Sequence, residues 1–153
     1  MNLLIDIGNS LVKAALYENR KVFKEFKFND LYTNEIVRII KKYKVISSAL
    51  SNVSNPNPKL EIILEDKTSF FSFKKDIKMP INSPYNLNEV GDDRLALMLA
   101  AYDEFPNDNV LVIDMGTCIT YDLKTSSSEY RAGGISPGLN MRIKSISDGA
   151  FKL

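Results

Sequence analysis

One short pattern occurs twice in this chain, an apolar run closed by Asp-x-Gly, and it constrains the fold more than any other feature. Leu3-Leu4-Ile5-Asp6-Ile7-Gly8-Asn9-Ser10 is echoed by Leu111-Val112-Ile113-Asp114-Met115-Gly116-Thr117-Cys118, a spacing of 108 residues from Asp6 to Asp114. In each copy the apolar run reads as a buried strand that turns at its C-terminal end. Each is followed by a second hydrophobic strand, a polar turn and further strand-like sequence. Such duplication resets the fold expectation: an α/β chain in which a βββαβ unit is used twice. The repeat places a first lobe at 1–108 and the start of a second at 109–153, two related lobes facing a nucleotide cleft.

The remaining pattern fills in that plan. Strands are expected over Leu11 to Tyr17 and Lys21 to Phe28, joined through the polar turn Glu18-Asn19-Arg20 as an antiparallel meander. A helix capped by Asn34 carries Ile36, Val37, Ile39, Ile40 and Tyr43. Val45 to Leu50 reads as a strand, Leu60 to Leu64 as a short helix after Pro58, and Ser69 to Phe73 as another strand. Residues 78–91 form a connection, and a long helix starts at Asp92 or Asp93 and ends near Pro106. Ile119 to Leu123 is a strand leading into a polar turn at Lys124–Glu129. Gly133 to Gly138 is expected as a glycine-rich turn before a last helix from about Leu139.

Composition removes several classes of function. Hydrophobic residues make up 44% and charged residues 25%, with net charge +1, ordinary for a globular protein and without the basic surplus of a nucleic-acid binder. The sequence has no histidine and a single cysteine, Cys118. An intrachain disulfide, a zinc site and a histidine-based triad are therefore out of reach. Acid–base chemistry falls to carboxylates, Lys or Tyr. Cys118 reads as a small buried apolar residue. Asp6 interrupts the N-terminal apolar run, which lacks a basic flank and does not read as a signal peptide. No apolar stretch reaches membrane-spanning length. The expectation is a cytoplasmic protein with neither nucleic acid nor membrane as partner.

Two constellations carry candidate chemistry. An Asp at a strand end followed by a Gly-containing hairpin suits phosphate handling: backbone N–H groups approach phosphate oxygens, and the carboxylate holds a cation or its water shell against them. A plain tight turn explains one copy of Asp6-Ile7-Gly8-Asn9 equally well; two copies after matched strands weigh toward phosphate. The second constellation is Gly91-Asp92-Asp93-Arg94. Acidic residues at a helix start satisfy the dipole and the free N–H groups there. A phosphotransferase without histidine would use the same carboxylate to accept the proton of an attacking hydroxyl, and Arg94 would clamp a substrate carboxylate. Both readings stand at this level.

Taken in order, Asp6-x-Gly8-Asn9-Ser10, Gly91-x-Asp93-Arg94, Asp114-x-Gly116-Thr117-x-x-Thr120 and Gly133-Gly134-x-x-x-Pro137-Gly138 resemble the type III pantothenate kinases along the whole chain. The resemblance implies RNase H-like lobes of the acetate-kinase/sugar-kinase/actin superfamily. It implies transfer of the ATP γ-phosphoryl group to pantothenate, opening coenzyme A synthesis. By position, the resemblance makes Asp6, Ile7, Gly8, Asn9, Ser10, Leu11, Val12 and Lys13 a phosphate-binding loop, and Thr117 an ATP contact. It makes Asp93 the general base, and Gly91, Asp92, Asp93 and Arg94 the pantothenate-binding turn. Asp114 would be the ligand of a monovalent cation, K⁺ or NH₄⁺, with Mg²⁺ accompanying ATP. A homodimer with its active site near the interface is also implied.

The chain departs from the family pattern in two ways. Tyr85 stands one residue closer to Gly91 than the family's pocket tyrosine, with Asn88 where a proline is expected. Family members are also substantially longer, so the expectation is a complete first lobe and an incomplete second. A rival reading follows: a catalytically impaired, shortened homologue acting as a binding or regulatory protein of the transcription-accessory kind. Another phosphotransferase or a phosphatase of the same fold is the third.

Overall fold

The computed structural model describes residues 1–29, 33–73 and 79–149. The chain divides into two compact units, Met1–Ile77 and Lys78–Leu153.

In the first unit, β1 (Asn2–Ile7), β2 (Val12–Glu18) and β3 (Lys21–Phe28) form an antiparallel meander, and β4 (Ser47–Asn52) and β5 (Ser69–Ser72) extend it in the order β3-β2-β1-β4-β5. The strands alternate as a half-buried sheet should: Leu3, Ile5 and Ile7 of β1 and Val12, Ala14 and Leu16 of β2 point inward. The β2–β3 turn is Asn19-Arg20, both at positive φ (52° and 61°), the backbone of a two-residue hairpin whose twist matches its strands. β4 runs parallel to β1 and β5 parallel to β4. Parallel pairing needs a crossover, and α1 (Thr33–Tyr43) and α2 (Pro58–Lys67) supply it. Ile36, Ile39 and Ile40 of α1 and Leu60 and Leu64 of α2 join the strand residues in one core.

Helix ends follow local chemistry. Asn57 caps α2 by accepting the Leu60 N–H at 3.1 Å, and Pro58 takes the first helical position, where its missing N–H costs nothing. α1 closes with Lys44 at φ 50° and the Val45 N–H on the Ile40 carbonyl. Asn34 lies inside α1 and does not cap it.

The second unit holds α3 (Asp92–Glu104), then β6 (Val110–Met115), β7 (Cys118–Lys124) and β8 (Tyr130–Pro137) in that spatial order, then α4 (Leu139–Gly149). A single 3₁₀ turn, Leu87–Glu89, interrupts the connection before α3. The strand–Asp-x-Gly sequence thus opens an antiparallel meander followed by a helix in both units.

Three further expectations are corrected. Gly133-Gly134-Ile135-Ser136-Pro137 is strand, not turn. A Cβ on Gly133 would sit 2.5 Å from the Tyr121 carbonyl oxygen, beside the register shift between Tyr121 and Asp122; the glycine serves a strand irregularity. Lys124 is no turn residue but the fully buried end of β7. Cys118, at the mouth of the β6–β7 loop, is exposed. Among the described residues, no helix is long and apolar enough to cross a membrane.

Candidate functional site

In the first unit, Asp6 stands one residue before the end of β1 on the face opposite Leu3, Ile5 and Ile7, with Lys13 and Ser51 as its pairing partners on β2 and β4. The Ser51 hydroxyl donates to Asp6 Oδ1 at 3.2 Å. Four residues, 8–11, separate the paired Ile7 and Val12. The Gly8 N–H donates to the Leu11 carbonyl (3.1 Å), which leaves Asn9 and Ser10 exposed at the tip and Lys13 exposed beyond it. The β4 end lies alongside: Asn52 Oδ1 accepts the Ser54 N–H and Val53 N–H reaches the Ile7 carbonyl. Carboxyl ends of adjacent parallel strands are where open α/β sheets bind ligands.

The second unit brings together most of the remaining candidates. Gly91 is the N-cap residue of α3 and contributes no side-chain cap. Asp93 Oδ1 instead accepts the Arg94 N–H at 2.7 Å, satisfying one of the first-turn donors that lack an intrahelical acceptor. The helix-start reading of this carboxylate is therefore observed, and it occupies one oxygen. Asp92 is buried. The Nε/Nη2 edge of Arg94 is engaged as a fork: Nε donates to Asp122 Oδ2 (2.8 Å) and Nη2 to Asp122 Oδ1 (2.5 Å). That edge cannot also clamp a substrate. Its hydrogen bonds to Asp122 raise the Arg94 pKa further, against the effect of burial.

The Asp122 carboxylate takes a third bond, at Oδ1, from the Tyr130 hydroxyl at 2.9 Å. Burial first, then this bond, drive the Tyr130 phenol well above its ordinary range. The Tyr130 ring meets Tyr85 edge-on, with centroids 6.3 Å apart. Sequence reasoning named Tyr85 and Arg94 and missed the two residues that join them. A signal existed: Thr120, Asp122 and Lys124 alternate along one face of β7, and the last two carry charge into a buried side.

Three residues, 116–118, separate the paired Met115 and Ile119. The Gly116 N–H donates to the Cys118 carbonyl (2.9 Å), and the Gly138 N–H to the Thr117 carbonyl (2.9 Å). Gly138 is buried, and a Cβ there would collide with the Gly116 carbonyl and sit 2.5 Å from that of Thr117. The start of α4 is thereby fastened to the second Asp-x-Gly loop, and helix N-termini favour anions. Asp114, paired with Thr120, is exposed. Among the described residues no group of three or more His, Cys, Asp or Glu could cage a metal ion. A carboxylate that is not part of such a cluster fits a cation shared with phosphate oxygens, not one held by protein alone.

The sequence profile of the type III pantothenate kinases matches residues 2–153. The chain belongs to this family. Among curated type III pantothenate kinases, that of Christiangramia forsetii is 40% identical over 150 residues, covering 95% of this chain and 61% of that protein. The Bacteroides fragilis protein is 34% identical over 151 residues, again 95% and 61%. The chain thus spans 61% of the length of these relatives. A solved Campylobacter jejuni structure, described as a conserved Baf family transcriptional activator, matches with TM-score 0.60 at 26% identity, over 99% of this chain and 62% of that one. An Aquifex aeolicus member of the Ppx/GppA family matches at TM-score 0.50 and 16% identity over 99% and 55%, a likeness of fold alone.

Proposed function

We propose that this chain is the ATP- and pantothenate-handling part of a pantothenate kinase, forming 4′-phosphopantothenate at the start of coenzyme A synthesis. The family match over residues 2–153 carries this reading. Asp93 is the general base: its second oxygen accepts the proton of the pantothenate hydroxyl as the hydroxyl oxygen bonds to the γ-phosphorus and ADP departs. Gly91, Asp92 and Arg94 form the pantothenate turn, with Tyr85 as a lining residue. Because Asp122 occupies the Nε/Nη2 edge, Arg94 presents its Nη1 side to the substrate carboxylate. Residues Asp6 to Lys13 contact the ATP phosphates, as does Thr117 in the second loop. Asp114 would hold K⁺ or NH₄⁺, which together with Mg²⁺ supplies positive charge against the phosphates.

The same reading takes the two meanders as RNase H-like repeats dividing at 108/109, the second continued by sequence that the longer relatives possess. It takes the working protein as a cytoplasmic homodimer with the active site near its interface. The test is Asp93→Asn in the longest polypeptide the gene encodes, with ADP release measured against pantothenate, ATP, Mg²⁺ and K⁺. Turnover should fall about 10²–10⁴-fold, the usual weight of a positioned base, while nucleotide affinity stays within about twofold. A variant with the wild-type rate would remove Asp93 from the chemistry.

A further inference from the structure

We propose that Asp122 is a positioning residue for this reaction, fixing the direction in which Arg94 meets the substrate and, through Tyr130, the stance of Tyr85; the inference rests on the reading of function above. An arginine side chain has many rotamers to choose from, so its orientation in the absence of substrate has to come from a neighbour. Asp122 supplies it with two bonds of fixed spacing to one edge of a planar guanidinium, a fork that dictates where the opposite edge points.

The holder is itself held. Asp122 is 2% exposed and Tyr130 0%, and the Tyr130 hydroxyl bonds the same Oδ1 that receives Nη2. In such a dry setting the carboxylate has one arrangement that satisfies its donors. Tyr130 extends the constraint to the segment before α3. Its N–H donates to the Asn82 carbonyl (2.7 Å), the Asn82 N–H donates to the Ser128 carbonyl (3.0 Å), and its ring abuts Tyr85. Two residues assigned to the substrate, from different segments, are thus oriented by two that are buried behind them.

Energetics favour a positioning role over a purely structural one. Taking Asp122 out of water and partly burying Arg94 costs desolvation that their attraction roughly offsets. A pair of apolar residues would stabilise the fold as well. What apolar residues would not provide is a guanidinium aimed in one direction.

The test is steady-state kinetics on Asp122→Asn, which keeps the shape and removes the charge and one acceptor. The KM for pantothenate should rise about ten- to a hundredfold, the weight of a lost charge-assisted bond, with the KM for ATP within about twofold. On an Arg94→Gln background the same substitution should have a clearly smaller effect, because the route through Arg94 is gone and only that through Tyr130 and Tyr85 remains. If Asp122→Asn does not fold, Tyr130→Phe takes its place, removing one bond to Oδ1 while keeping the ring; an increase in pantothenate KM of about two- to tenfold is expected. An unchanged pantothenate KM accompanied only by a lower Tm would overturn the inference, as would an undiminished effect on the Arg94→Gln background. Absence of wild-type turnover overturns the substrate reading instead.

Discussion

Lys124 offers the sharpest test of the second unit, because a lysine with no exposed surface has to be held by something. Its ammonium donates to the carbonyls of Phe105 (2.5 Å), Pro106 (2.7 Å) and Asp108 (3.2 Å), just beyond the C-terminal end of α3, where carbonyls lack helical donors and the dipole favours a cation. Lys124→Met keeps most of the buried stem and deletes the three donors. Bonds from a charged group are worth about 1.5–3 kcal/mol each, giving a gross loss of roughly 5–9 kcal/mol. Two effects oppose it. The variant no longer desolvates an ammonium, several kcal/mol in its favour, and the three carbonyl-bearing residues are exposed, so water can reach them. The net expectation is a loss of about 2–4 kcal/mol, a fall in Tm of roughly 4–16 °C. Urea denaturation, followed by far-UV dichroism, measures it. The loss should be nearly the same in 1 M NaCl, since a buried cation is little screened. A change below about 0.5 kcal/mol, or one that salt abolishes, would refute the three-carbonyl arrangement.

Tyr130 yields a pH signature. Its folded pKa is raised above the unfolded value of about 10, so its contribution to stability is complete below pH 10 and is lost as pH climbs toward the folded value. Phenolate absorbance at 295 nm should therefore show one tyrosine ionising only as the alkaline protein unfolds, and Tyr130→Phe should remove that step; a normal titration of every tyrosine contradicts the buried bond to Asp122. The adjacent glycines of β8 separate packing from composition. Gly133→Ala drives a methyl into the Tyr121 carbonyl and should cost about 1–3 kcal/mol, whereas Gly134, with nothing within 4 Å of an added Cβ, should accept alanine within about 0.5 kcal/mol. Equal thermal shifts for the two would show that β8 is not registered as described.

The first unit was almost fully legible. Period-2 alternation in Leu3-Ile5-Ile7 and Val12-Ala14-Leu16, the Asn19-Arg20 turn and the helical spacing of Ile36, Ile39 and Ile40 are local signals, and each became the expected element. Legibility failed where a residue's environment is made by distant chain. Gly133 to Gly138 carries the composition of a turn, and only the approach of the Tyr121 and Thr117 backbones explains those glycines as strand and junction. Lys124 stands beside a polar turn in sequence, yet the carbonyls that bury it lie 16 to 19 residues earlier. Arg94 was read toward a ligand because its partner, Asp122, is 28 residues away. Local pattern shows which residues carry charge at a helix start; it does not show which edge of a guanidinium is already taken.

The repeated motif itself separates into two different devices. The first loop holds four residues between its paired strand ends and the second only three, so the copies stop corresponding after the glycine. Gly8 is tight against its own turn, since an added Cβ would lie 3.1 Å from the Leu11 oxygen, and the loop exposes the polar side chains of Asn9 and Ser10. Gly116 has room: an added Cβ would meet nothing nearer than 3.9 Å. The steric demand in the second loop has moved to Gly138, which fastens the start of α4 to the Gly116 and Thr117 carbonyls. The two copies therefore share a meander and a following helix, while each loop closes through its own backbone hydrogen bond. On this argument a methyl at 138 probes folding of the second unit. A methyl at 116, which the packing tolerates, probes what approaches the loop from outside.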